Sequence, residues 1–115
     1  MHTQIVKLID PSRAVVATAQ VVDQEGKFKG WIDLRSTPIN LHQKFMEYEE
    51  IVNGQMFSLL DEIEEQISAL RLKIRFETGR EQSIEDLQIY PSTERISFIL
   101  VKEPALVTTR APVLV

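Results

Sequence analysis

The sequence predicts an α+β domain: a mostly antiparallel sheet in the order β-β-β-α-β-β-β, with one long amphipathic helix packed on one face. Three observations carry this expectation. Short stretches rich in β-branched residues, with two-residue alternation, lie at both ends of the chain. A single central stretch repeats apolar residues at spacings of three and four. The links between the alternating stretches are hairpin-length, which makes successive strands antiparallel.

Residues 5–9 (Ile5 to Ile9) read as a first strand, ended by the turn Asp10-Pro11-Ser12. Residues 14–22 are β-branched, and Asp23-Gln24-Glu25-Gly26 is a hairpin loop leading into residues 27–34. In that third strand the two-residue period puts Phe28, Ile32 and Leu34 on one side. Lys27, Lys29, Trp31, Asp33 and Arg35 fall on the other.

Ser36-Thr37-Pro38 then offers a capping hydroxyl with proline at the first helical position. Leu41, Phe45, Tyr48, Val52, Met56, Leu59, Ile63, Ile67 and Leu70 follow within an arc of about 100°. Because the phase carries through Asn53-Gly54, one continuous helix is expected, kinked at the glycine, whose interior cost is about 1 kcal/mol. Such a helix is roughly 45 Å long, longer than a domain of this size is wide. Met46 and Phe57 lie outside the arc, beside Leu60, as a secondary apolar stripe.

The period returns to two at Leu72, Ile74 and Phe76, and Thr78-Gly79-Arg80 turns the chain. Residues 84–90 are expected to bulge near Glu85-Asp86, since Ile84 is out of step with Leu87 and Ile89. Pro91-Ser92-Thr93 leads into a last strand, residues 94–102, with Ile96, Phe98 and Leu100 on one side. Residues 1–103 are thus one domain, and 104–115 an apolar tail interrupted by Pro104 and Pro112. The element order resembles the longin or profilin-like arrangement, in which a hairpin, a helix and a three-stranded meander form one sheet. That resemblance rests on element order alone and carries no function.

Composition narrows the function classes. A hydrophobic fraction of 43% with 26% charged residues suits one folded core. With no cysteine there is no disulfide, thiolate metal site or cysteine nucleophile. The first residues lack a signal-peptide pattern, and no window is apolar enough for a membrane span, so a cytoplasmic protein is expected. Neither histidine, His2 or His42, has a neighbour that makes a general base. The helix acids form no Glu-x-x-His pair, and no phosphate loop or nucleophile elbow occurs. No catalytic residue, metal or cofactor is expected.

Charge is unevenly spread. Residues 36–70 hold seven acids and one base, Lys44, for a net charge of −6, against −4 for the whole chain. Elsewhere Lys27, Lys29, Arg35, Arg71, Lys73, Arg75 and Arg95 are expected on the sheet face opposite the helix, around Trp31. Ile99, Val101 and outward valines of the second strand would add an apolar strip there, of the kind that is usually covered.

The expected function is therefore a non-enzymatic, self-associating interaction domain, most simply a two-fold homodimer. Trp31, Ile99 and Val101 would form the interface core, with Lys73 and Arg75 at its rim. Glu47, Glu50, Asp61 and Glu65 would form an acidic docking face for a basic protein partner. Two other classes stay open: single-stranded nucleic-acid binding through the basic face, since rings stack bases while cations track phosphates, and a small-molecule sensor or minimal enzyme with a pocket near His42, Tyr48 and Tyr90.

Overall fold

The computed structural model describes residues 2–101, and within them six strands close on themselves. In chain order the elements are β1 (Gln4–Ile9), β2 (Val15–Gln24), β3 (Lys27–Asp33), α1 (Ile39–Asn53), α2 (Phe57–Ala69), β4 (Lys73–Arg75), β5 (Glu81–Tyr90) and β6 (Arg95–Leu100). The strands form a closed barrel in the order β1-β2-β3-β6-β5-β4, and every neighbouring pair is antiparallel. Two meanders are therefore joined along both edges, β3 to β6 and β1 to β4. The expected antiparallel α+β architecture is present, but the sheet closes into a barrel instead of lying under one long helix on one face. The tail 104–115 lies outside the described residues.

Turn chemistry sets the hairpins. Between β1 and β2 the Asp10 carboxylate accepts hydrogen bonds from the Ser12 N–H, the Ala14 N–H and the Ser12 hydroxyl. Led by the hydroxyl contact, these bonds hold the Asp10 carboxyl below its usual range. Glu25 (φ 56°) and Gly26 (φ 93°) join β2 to β3 as a two-residue turn with both φ positive, matching the twist of the flanking strands. The β5–β6 register shifts between Glu85 and Gln88, with Asp86 at φ 54°, so β5 carries the bulge that its sequence pattern implied.

Inward-facing side chains fill the barrel. Val6 and Leu8, Ala17, Ala19 and Val21, Phe28 and Ile32, Ile74, Ile89, and Ile96 and Phe98 are all buried. Phe28 and Phe98 face each other across the β3–β6 pair with rings stacked at 5.2 Å, and Phe76 lies 6.4 Å from Phe28. The small Ala17 and Ala19 leave room for these rings in a barrel of only six strands. Each large apolar side chain buried this way contributes about 1.5–3 kcal/mol. Gly30 belongs to the inward set of β3 by the two-residue period, and a Cβ there would lie 1.8 Å from the Gln20 carbonyl oxygen. β3 therefore bends past β2 at a distance only glycine permits.

The expected single helix is two helices. Gly54 ends α1 and Gln55 enters the left-handed region at φ 56°. The Met56 N–H donates to the Ile51 carbonyl (3.0 Å) and the Gln55 N–H to the Val52 carbonyl (3.1 Å). Those two bonds form the Schellman stop of a helix, here with glutamine where glycine is usual. The chain then doubles back, as the Lys44 Nζ to Gln66 Oε1 bond of 2.6 Å between α1 and α2 requires. Phe45, Tyr48, Ile51, Ile63 and Ile67 of this αα-hairpin are buried in the same core as the barrel side chains. The expected cap also differs. Pro38 rather than a hydroxyl residue is the N-cap, and the Thr37 Oγ1 donates to the Val16 carbonyl at 2.7 Å, tying the start of α1 to β2.

Candidate interaction surfaces

The outer wall of β2, β3, β6 and β5 is fixed by register. One rung reads Gln20, Trp31, Arg95, Tyr90; the next Val22, Lys29, Ser97, Gln88; the third Gln24, Lys27, Ile99, Glu85. Ile5 on β1 extends the first rung beyond Gln20. Trp31, in the first rung of this wall, is 58% exposed. The Arg95 guanidinium sits 4.6 Å from its ring centroid, a cation–π contact that holds the ring in place. Ile5 is exposed and Val22 half-buried, so apolar side chains flank Trp31 on its β1–β2 side, with Gln20 standing between Ile5 and the ring.

Closure divides the expected interface residues. Trp31 and Ile99 share the wall, separated by the Lys29–Ser97 rung. Val101 continues β6, its N–H donating to the Ser83 carbonyl of β5 (2.9 Å) and its carbonyl accepting from Gln82 (3.2 Å). Lys73 and Arg75 lie on β4, three strands from β3 in either direction around a six-stranded ring, and so on the opposite wall. They do not rim a patch centred on Trp31. The two-residue period told in from out correctly, but it carries no information on which wall a strand joins.

The same division breaks up the expected basic face. Arg75 and Arg13 share the Glu81 carboxylate, at 3.1 and 2.8 Å. Arg35 bonds both Asp33 carboxylate oxygens (3.0 and 2.8 Å), and this contact draws the Asp33 carboxyl down to about 2. Arg71, at φ 54°, lies in the turn that follows α2. Lys27, Lys29 and Arg95 remain together on the Trp31 wall.

On the helical hairpin, Glu47 and Glu50 of α1 and Asp61 and Glu65 of α2 are all exposed. Five of the exposed large apolar side chains are there too: Ile39, Met46, Met56, Phe57 and Leu59. Met56 and Leu59 were expected in the core. The helix break places them at the hairpin tip, where residues 53–59 are all exposed.

Glu49 is an acid of α1 that the expected acidic docking face did not include. It is buried, accepting from the Ser92 N–H at 3.0 Å and from the Ser92 hydroxyl, and so fastens α1 to the β5–β6 turn. Its spacing held the signal, since Phe45, Glu49 and Val52 lie at i, i+4 and i+7.

The pocket expected near His42, Tyr48 and Tyr90 is filled between the tyrosines. Tyr48 is buried with its ring 5.8 Å from that of Tyr90, and His42 lies on the outer flank of α1 with Met46 and Ser92. Burial, followed by the contact with Tyr90, pushes the Tyr48 hydroxyl far above its ordinary range. Among the described residues no group of three or more acidic or histidine side chains is placed to hold a metal ion, and no helix is long and apolar enough to cross a membrane. The chain matches none of the protein-family models, curated proteins or solved structures with which it was compared.

Proposed function

We propose that this chain is a non-enzymatic, cytoplasmic interaction module that self-associates as a two-fold homodimer through the wall centred on Trp31. One observation carries the reading: a large aromatic ring, 58% exposed, has apolar Ile5 and Val22 on its β1–β2 side and is oriented by Arg95. Tryptophan and arginine are the residue types that most often dominate interface energetics. A self-complementary two-fold contact is the commonest way to cover such a patch. Every described strand pairs with a neighbour on both sides, although β4 pairs over only three residues on each side, and the contact proposed here runs through side chains rather than through backbone pairing. The acidic hairpin, with Glu47, Glu50, Asp61 and Glu65, stays free for a basic protein partner.

Native mass spectrometry with light scattering at tens of micromolar protein tests this. A homodimer is expected from the natural sequence, and a monomer with unchanged far-ultraviolet circular dichroism from Trp31→Asp. A folded Trp31→Asp variant that is still dimeric removes the Trp31 wall as the interface. A monomeric natural chain removes self-association altogether.

A further inference from the structure

We propose that the hollow on the β3–β6–β5 wall binds a nucleotide unit, its phosphate over Ser97 and its base against Trp31. The hollow is lined by Lys27, Lys29, Gln88, Tyr90, Arg95 and Ser97, with Ile96 at its floor and no carboxylate among them. Its polar groups divide into committed and free ones. Tyr90 donates to the Gln88 Oε1 at 3.2 Å and the Gln88 Nε2 donates to Asp86 at 3.1 Å, so that pair is internally satisfied. Among the described residues, Lys27, Lys29 and Arg95 enter none of the ion pairs, and the Ser97 hydroxyl bonds no protein group. The two lysines and the hydroxyl are thus left with donors to spare, and Arg95, whose guanidinium faces the Trp31 ring, keeps its N–H groups outside those ion pairs.

Register makes the spacing suitable. Lys29 stands directly opposite Ser97, Lys27 is two residues along β3, and Arg95 two residues along β6 in the other direction. Directly opposed side chains start about 5 Å apart and diagonal ones about 7–8 Å apart. Both lysines and the arginine therefore reach a tetrahedral anion placed over Ser97. Lysine supplies point charges and arginine a planar fork, and both are suited to phosphate oxygens. Trp31 is the next rung along β3 beyond Lys29, on the side that Arg95 occupies. An exposed indole beside a phosphate site offers a π-face to a base, as in single-strand binders. This site goes beyond the self-association reading and competes with it, because Trp31 cannot be covered by a second copy and by a base at once.

Trp31 is the chain's single tryptophan, so all tryptophan emission comes from this wall. The full chain is titrated at low micromolar concentration and low salt with a mononucleotide, a twelve-residue oligothymidylate and inorganic phosphate. Quenching of Trp31 by either of the first two is expected. A mononucleotide as effective as the oligomer identifies a free-nucleotide site, and a response to the oligomer alone identifies a single strand. Lys29→Glu should weaken binding at least tenfold, and Lys73→Glu on the opposite wall should leave it unchanged. Raising the salt should weaken the oligomer steeply, as phosphate contacts require. An equal loss in both variants means diffuse charge and overturns the site. So does the absence of any response up to millimolar ligand, or binding of phosphate as tight as the nucleotide with unchanged emission.

Discussion

Replacing Gln55 by glycine should stabilise the protein, and the sign of the effect tests the helical hairpin directly. Gln55 sits at φ 56°, one residue past the α1 cap, with its N–H and that of Met56 bonded back to Val52 and Ile51. An L-residue held in the left-handed region costs about 1–2 kcal/mol. Glycine removes that cost but gains freedom in the unfolded chain, giving back about 0.5–1 kcal/mol. The net expectation is a gain of about 0.5–1 kcal/mol. In one continuous helix the same substitution would instead put glycine at an interior position, a loss of nearly 1 kcal/mol. Urea unfolding followed by circular dichroism separates the two outcomes. With a slope of about 1–2 kcal/mol per molar for a chain of this size, the midpoint should rise by about 0.5 M. A midpoint that falls by a similar amount, with an unchanged slope, would refute the hairpin geometry at Asn53–Phe57.

Two further predictions concern the core. The hydroxyl of Tyr48 is raised well above its ordinary value, chiefly by burial, so the unfolded chain loses that proton first as pH rises. Stability from this group is therefore complete below pH of about 10 and declines above it. The melting temperature of Tyr48→Phe should fall less steeply than that of the natural chain through this range, and parallel slopes would show that the Tyr48 hydroxyl is not buried. At Gly30 an alanine Cβ would sit 1.8 Å from the Gln20 backbone oxygen, which no side-chain movement can relieve. Gly30→Ala should cost more than about 3 kcal/mol, measured by the same urea titration, and a loss under about 1 kcal/mol would contradict the close β2–β3 approach.

Alternation in the sequence was enough to place the strands and, except for β2, whose parity it left open, their inward faces. Phe28, Ile32, Ile74, Ile96 and Phe98 are buried where the period put them, and the bulge of β5 lay in the mismatch between Ile84 and Ile89. Closure was not legible. It depends on the β1–β4 and β3–β6 pairings, which join residues distant in sequence and are set by strand curvature rather than local pattern. Local hints existed in hindsight: the small inward residues Ala17, Ala19 and Gly30 are what a tightly curved wall needs. The helix break was hidden differently. Both helices present an apolar face to the same core, so an unbroken phase across Asn53-Gly54 was compatible with a reversal of direction. For the site, the exposed Trp31 with Lys27 and Lys29 was readable from parity, whereas the loss of Lys73 and Arg75 to the far wall followed only from closure.

Charge placement constrains how copies can meet. A hairpin carrying seven acids and one base lies on the same molecule as a wall carrying Lys27, Lys29 and Arg95. Head-to-tail contact between hairpin and wall would join opposite charges, weaken with salt and leave a free end on each side, so it would extend into open chains. A two-fold contact at Trp31 does the reverse. It sets the cations of one copy near those of the other, and the apolar burial of Trp31, Ile5 and Val22 has to exceed that repulsion. Screening lowers the repulsion and leaves the burial intact. The dimer should therefore tighten as salt is raised from low to physiological strength, in the same mass measurement that tests Trp31→Asp. A phosphate-bearing ligand relieves the same repulsion by neutralising Lys29 and Arg95, but it does so while occupying the indole. Self-association and nucleotide binding as proposed would thus be coupled through one side chain, and that coupling would have to be negative.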